Sequence, residues 1–354
     1  GKRERVDFLF SKGYTCLQTK NYTQALPIFE ELKGMNTRYA QSASYYYAYT
    51  QYTLGKYNEA LPDFLALETT PEYKKVVPYY IVQIYYAQKE YDKLNTRAEQ
   101  VLKDNPGNKN NAEIYRIAGE MAYRKKDYTK AIDHLRNYEK LYPQVLRNDM
   151  YLLGLSYFQV GNYPSAVHYL SKVTTDKDEM SENAYLHLGN SYIKTKDITN
   201  ARLAYEASLR TSFNKTVREE ALYNYALTTL ETTSAFGESI KAFEQLLKEY
   251  PNSKYVDNAY DYLTSVYMTT KNYEAAYESI QKIKIPNAKL LETKQYLLYQ
   301  IGTEAFMQSN MTKAIDYFTM SLVSSKTGKY SAECLYWRSE SYFRSGKTDQ
   351  SIYD

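Results

Sequence analysis

The phrase KNYTQALPIF at 20–29 returns as KDYTKAIDHL at 126–135 and as GNYPSAVHYL at 161–170. Aligned on x-Tyr-x-x-Ala-(x)3-apolar, the chain falls into ten registers beginning near residues 6, 41, 75, 112, 147, 182, 219, 257, 295 and 332, spaced by about 34 to about 38. No other feature constrains the fold as strongly. A unit of that length cannot close a core alone, so neighbours must stack to bury one another, which makes a solenoid. Length by itself, 354 residues, would suggest two or three globules. The repeat instead predicts one solenoid over 1–354.

Within a unit the period is helical. In the fourth, Tyr115, Ala118, Gly119 and Ala122 fall at i, i+3, i+4 and i+7 and share one face of a first helix. The polar break RKKD follows. Tyr128, Ala131, Leu135 and Tyr138 then mark a second helix, which Pro143 ends because proline has no amide to continue the ladder. The expected fold class is therefore all-α, an α-α superhelix of about ten helix-turn-helix units.

These residues resemble the tetratricopeptide repeat family, in which an aromatic, Leu-Gly and Tyr mark the first helix and Ala, Phe and Pro the second. The small eighth residue appears as Gly13, Ala48, Gly119, Gly154, Gly189, Ala226 and Gly302. Ala or Ser at the twentieth appears as Ala25, Ala60, Ala131, Ala166, Ala201, Ser239, Ala276, Ala314 and Ser351, and the closing proline as Pro106, Pro143 and Pro251. Small side chains let two backbones cross closely, and larger ones there would overpack at a cost of typically ~1–3 kcal/mol. Tyr22, Tyr57, Tyr91, Tyr128, Tyr163 and Tyr273, at the seventeenth position, should open the second helices. Val82 and Leu94 break the pattern in the third unit, predicting a wider or shifted crossing. The seventh unit carries one extra residue in ETTSAFGES, and the ninth and tenth replace the Tyr by Met311 and Thr348. Opening on GKRER and ending inside a second helix at Asp354, the sequence is expected to be a segment of a longer protein.

Composition narrows the function classes. Forty-five Lys and Arg against forty-one Asp and Glu leave +4, which is not the balance of a protein that neutralises many phosphates, so nucleic acid is not an expected partner. No apolar stretch approaches the ~18 residues of a membrane span. Cys16 and Cys334 sit in apolar helical patterns as small hydrophobes. His134, His168 and His187 are scattered, and no His-Glu-x-x-His, Cys-x-x-Cys or phosphate loop occurs. TDKDEMSE at 175–182 has the acids of a calcium loop without its spacing or glycine, so it is read as an inter-repeat loop capping the next helix. The expectation is a non-catalytic chain with no cofactor and no metal.

Binding is the expected role. In the first helix, positions 2, 5, 9, 12 and 13 lie opposite the packing face, and by resemblance to the family they line the concave side. They give Tyr14; Tyr45, Tyr49 and Tyr52; Tyr79 and Tyr86; Arg116, Tyr123 and Arg124; and Tyr151, with Tyr223, Tyr296, Tyr299, Phe306 and Tyr336 further along. Exposed aromatics and Arg commonly anchor interfaces; the competing reading is that these rings pack on one another. The clamp for acidic chaperone tails is not expected, because Asn190 has its position but Leu186 stands where that clamp has Lys. The preferred function is a scaffold or adaptor that binds a protein or peptide partner of unknown identity. FEQLLKEYPNSKYVDNAYDYL and YMTTKNYEAAYESI are similar to repeats of bacterial envelope proteins, which implies a periplasmic or outer-membrane-associated setting, with the cytoplasm as the alternative. The rival functions are a glycan-binding accessory protein of the envelope and the docking or sensory region of a larger regulator.

Overall fold

The computed structural model describes residues 1–232 and 236–354, and among them the secondary structure is helical with no strand. Part of the seventh unit's ETTSAFGES therefore lies outside the described residues. The chain divides into two compact units, Gly1–Val173 and Thr174–Asp354. The first holds five helix pairs: α1 (Lys2–Gln18) and α2 (Tyr22–Lys33), α3 (Ala40–Thr53) and α4 (Tyr57–Leu67), α5 (Val77–Ala87) and α6 (Tyr91–Asp104), α7 (Ala112–Arg124) and α8 (Tyr128–Leu141), α9 (Arg147–Gln159) and α10 (Tyr163–Leu170). The second holds α11 (Glu179–Lys194) and α12 (Ile198–Leu209), α13 (Lys215–Thr232) and α14 (Phe236–Glu249), α15 (Val256–Thr269) and α16 (Tyr273–Gln281), α17 (Ala288–Met307) and α18 (Met311–Ser324), α19 (Ser331–Arg344) and α20 (Thr348–Tyr353). Each unit is an all-α repeat solenoid.

Local chemistry sets the turn between paired helices. The repeated Tyr is the first residue of α2, α4, α6, α8, α10 and α16, as the spacing predicts. Before it, Asn21, Asp127, Asn162 and Asn272 cap the helix by accepting the backbone N–H three residues on, at 3.4, 3.1, 3.2 and 3.2 Å. Two residues before the first residue of α2, α4, α6, α8, α10 and α12, the chain turns through the left-handed region. Gly55 and Gly161 take φ of 75° and 82°, and Lys20, Lys89, Lys126 and Lys196 take the same turn at 59°, 58°, 62° and 62°. The sequence pattern gave no hint of this, because Lys at the turn reads as an ordinary solvated residue.

The small positions mark the crossings. A Cβ on Gly119 would stand 2.6 Å from Leu135 Cγ, and one on Gly302 would stand 2.7 Å from Phe318 Cε1. At the twentieth position Ala25, Ala60, Ala131, Ala166, Ala201, Ser239, Ala276 and Ala314 are all 0% exposed. Only Ser351, in the terminal pair, is partly exposed. In the third pair Val82 and Leu94 are fully buried, and α5 and α6 approach closely along a shorter stretch than α7 and α8 do. Both cysteines are buried and unbridged. Four first helices start three or more residues before their registers: α1, α11, α13 and α17 begin at Lys2, Glu179, Lys215 and Ala288 rather than near 6, 182, 219 and 295. The register reports the packing face, whereas the helix end is set by its cap, Asp178 for α11 and Asn287 for α17.

Candidate functional site

In the first unit, the face read from the sequence has an aromatic part on α3 and α5 and a charged part on α7 and α9. The aromatic part is one packed cluster. Tyr80, absent from the expected set, is its hub: its ring centroid lies 6.3 Å from Tyr45, 6.0 Å from Tyr49, 5.0 Å from Tyr52 and 5.1 Å from Tyr79. It also stacks on Phe64 at 4.9 Å and 2°. Tyr45 stacks on Tyr73 at 4.9 Å. Burial holds the Tyr52 and Tyr80 phenols well above their ordinary pKa. Tyr45, Tyr49, Tyr52 and Tyr79 are therefore half-buried rings that lean on one another, presenting edges and hydroxyls rather than free faces. Tyr14 is more open, 40% exposed, with its ring 5.7 Å from Tyr46.

The charged part is organised around Arg116, whose side chain is 17% exposed. Its Nε and one terminal nitrogen donate to both oxygens of Glu113 at 2.9 and 2.5 Å. Its other terminal nitrogen lies 3.7 Å from Glu120 Oε2 and 3.8 Å from Asp149 Oδ1. Glu120 also receives Arg124 at 2.6 Å and the Tyr86 hydroxyl at 3.1 Å, while Gln83 donates to Glu113 at 3.0 Å. Arg124 reaches back to the Tyr91 hydroxyl at 3.1 Å. Neither guanidinium is thus an unpaired anchor waiting on the surface. Burial pushes the Asp149 carboxyl up to about 6 although Arg116 pulls it down, and the Glu113 hydrogen bonds raise the Arg116 guanidinium above its ordinary range. Tyr123, half-buried 5.7 Å from Tyr128, is pushed up to about 12 by burial, and Tyr151 on α9 is half-buried.

Sequence reasoning missed the carboxylates that hold this part together. Glu113 and Glu120 occupy positions 2 and 9 of their unit, within the same set that yields Arg116 and Tyr123, so the signal was present and only the search for anchors passed over it. Asp149, at the third position of the next unit, lies outside that set and gave no signal.

In the second unit, the expected aromatics are mostly packing groups. Tyr223 is buried and stacks on Tyr255 at 4.2 Å; Tyr296 and Tyr299 lie 5.2 and 5.9 Å from Tyr330; Phe306 lies 5.1 Å from Trp337. Tyr336 alone of these is largely open, 64% exposed. Asn190 is occupied internally, accepting from Tyr205 at 2.7 Å and donating to Glu220 at 3.2 Å. In the acidic loop Asp178 caps α11 at 2.9 Å, and Glu182 is buried, accepting the Phe213 and Asn214 amides at 2.8 Å each. That carboxylate pins a loop. Among the described residues, no group of three or more His, Cys, Asp or Glu is placed to hold a metal ion, and no helix is long and apolar enough to cross a membrane.

Comparison with known proteins agrees with this repeat geometry. Residues 151–214 and 220–253 match family profiles described as tetratricopeptide repeat, and residues 87–173 match the profile of the anaphase-promoting complex, cyclosome, subunit 3. No curated protein matches the chain. Among solved structures, one of Naa15/Naa10 bound to HypK-THB is similar at 17% identity and a TM-score of 0.48, over 96% of this chain and 55% of that one. The chain thus spans about half that length. A tetratricopeptide repeat protein from Parabacteroides merdae is similar at 13% identity and a TM-score of 0.41, over 72% of this chain and 97% of that one. YrrB, a TPR protein with an unusual peptide-binding site, is similar at 16% identity and 0.42, over 53% and 93%.

Proposed function

We propose that this array of tetratricopeptide repeats is a scaffold for protein–protein interaction whose first unit docks an extended or helical peptide of a partner protein on the face of α3, α5, α7 and α9. The observation that carries the reading is the clustering, on one face, of half-buried tyrosine hydroxyls with the Glu113, Arg116, Glu120 and Arg124 network. Packed rings do not weaken it. Tyr45, Tyr49, Tyr52 and Tyr79 are held in place before any ligand arrives, so little side-chain entropy remains to be lost on binding.

A random dodecapeptide library displayed on phage, selected against the intact chain, tests the reading. Enriched peptides should bind the native chain and lose binding to the combined variant Tyr49→Ala, Tyr86→Ala and Arg124→Ala, which leaves the Arg116 to Glu113 pair in place. Circular dichroism of the variant must show an undiminished helix signal. Peptides that bind the folded variant as well as the native chain place docking elsewhere.

A further inference from the structure

The face on α7 and α9 holds more carboxylate than its own donors satisfy. Glu113, Glu120 and Asp149 surround Arg116, with Arg124 beyond, so ionised carboxylates outnumber guanidiniums. Asp149 is 1% exposed, and neither of its carboxylate oxygens accepts a hydrogen bond. A buried acceptor left in that state is costly. Arg116 nevertheless gives its close hydrogen bonds to Glu113, whose side chain is 28% exposed, and stops 3.8 Å from Asp149. A movement of about 1 Å would bring it within hydrogen-bond reach of the dry carboxylate. Arg116 is the cation that Glu113 holds.

We propose that the partner segment docks through an Arg or Lys side chain of its own, which takes over Glu113 and Glu120 and releases Arg116 onto Asp149. The proposal rests on the peptide-docking reading above and specifies the chemistry of the ligand. The incoming cation brings positive and negative charges in the cluster into balance. Tyr86, whose hydroxyl already donates to Glu120, offers ring surface for the apolar stem, and the hydroxyl of Tyr79 feels the charges of Glu113 and Arg116 beside it. Exchange replaces one surface-side pair with a better-satisfied buried one, so binding and the settling of Asp149 are coupled.

That coupling gives the site a pH signature. The charged and titratable groups facing Asp149 are Arg116, Glu113 and Glu120 on α7 and Tyr138 on α8. Only ionised Asp149 can make a charge-assisted pair with Arg116, and burial sets its carboxyl at about 6 in the free chain. Affinity should therefore fall as pH drops through that value.

The peptides enriched in the library selection, and rejected by the folded triple variant, are synthesised with each Arg or Lys replaced in turn by Gln. One basic residue shared by the set should lose about ten- to a hundredfold in affinity on that change, the worth of a charge-assisted hydrogen bond. Binding should weaken from neutral to mildly acid pH in the native chain and become flat in Asp149→Asn. Face-dependent peptides that tolerate every such replacement leave the docking reading standing and overturn this one; a pH profile unchanged in Asp149→Asn overturns the exchange. Failure to enrich any face-dependent peptide sinks both.

Discussion

Gly119→Ala is the sharpest test of the crossing argument, because a residue that favours helix should here destabilise it. In a helix interior, alanine is better than glycine by about 1 kcal/mol. At Gly119 the new methyl would meet Leu135 Cγ at 2.6 Å, its Cδ2 at 2.9 Å and its backbone nitrogen at 3.4 Å. Leu135 is itself buried, so rotating the side chain moves the clash into α7 and α9, and the backbone contact persists. Overpacking of this kind costs about 1–3 kcal/mol. The net expectation is a loss of up to about 2 kcal/mol, the overpacking range less the propensity gain. Gly237 near the start of α14 is the control, since among the described residues nothing lies within 4 Å of its added Cβ. There the same change should gain up to ~1 kcal/mol. Urea midpoints by circular dichroism give the sign of each. Because a repeat array need not unfold in one step, amide exchange in α7 and α8 locates the loss. A Gly119→Ala chain whose midpoint rises like that of Gly237→Ala, or whose lost protection lies away from α7 and α8, refutes close approach as the reason for the glycine.

Three further outcomes follow from the geometry. Asp149 keeps its proton up to about pH 6 in the folded chain, whereas an unfolded Asp releases it near ~4, so the native chain loses stability as pH rises between those values. Asp149→Asn should be more stable than the native chain above that window, by on the order of 1–3 kcal/mol, and the advantage should vanish below it; parallel melts across the range decide. Lys126→Gly removes left-handed strain of about 1–2 kcal/mol against a chain-entropy cost of about 0.5–1, so a small rise in the urea midpoint is expected, while Gly161→Ala should lower it. Tyr80→Ala should cost about 2–4 kcal/mol because it empties the centre of the ring cluster, whereas Tyr14→Ala should fall within about 0.5; equal melting shifts would deny Tyr80 its central place.

How much of the candidate site was legible depends on the interaction concerned. Arg116, Tyr86 and Tyr123 were assigned to one face by helical period alone, and they do lie on α5 and α7 of one unit. What period could not say is which of them were spoken for. Whether Arg116 meets solvent or Glu113 depends on side-chain reach within its own helix, and whether Tyr49 stands free depends on Tyr80, a residue of the next repeat.

The sequence by itself determined the repeating helix pair, the crossings at Gly119 and Ala131 and the tyrosine that opens α2, α4, α6, α8, α10 and α16. Those follow from spacing, because a small residue, a cap or a periodic apolar stripe acts on neighbours a fixed distance away along the chain. Tertiary structure alone decided that Lys126 would turn left-handed, that Tyr80 would gather the rings around it, and that Asp149 would be buried beside Arg116 without a hydrogen bond. Burial and charge pairing depend on which repeats touch and how closely, and that distance is fixed only once the helices have stacked.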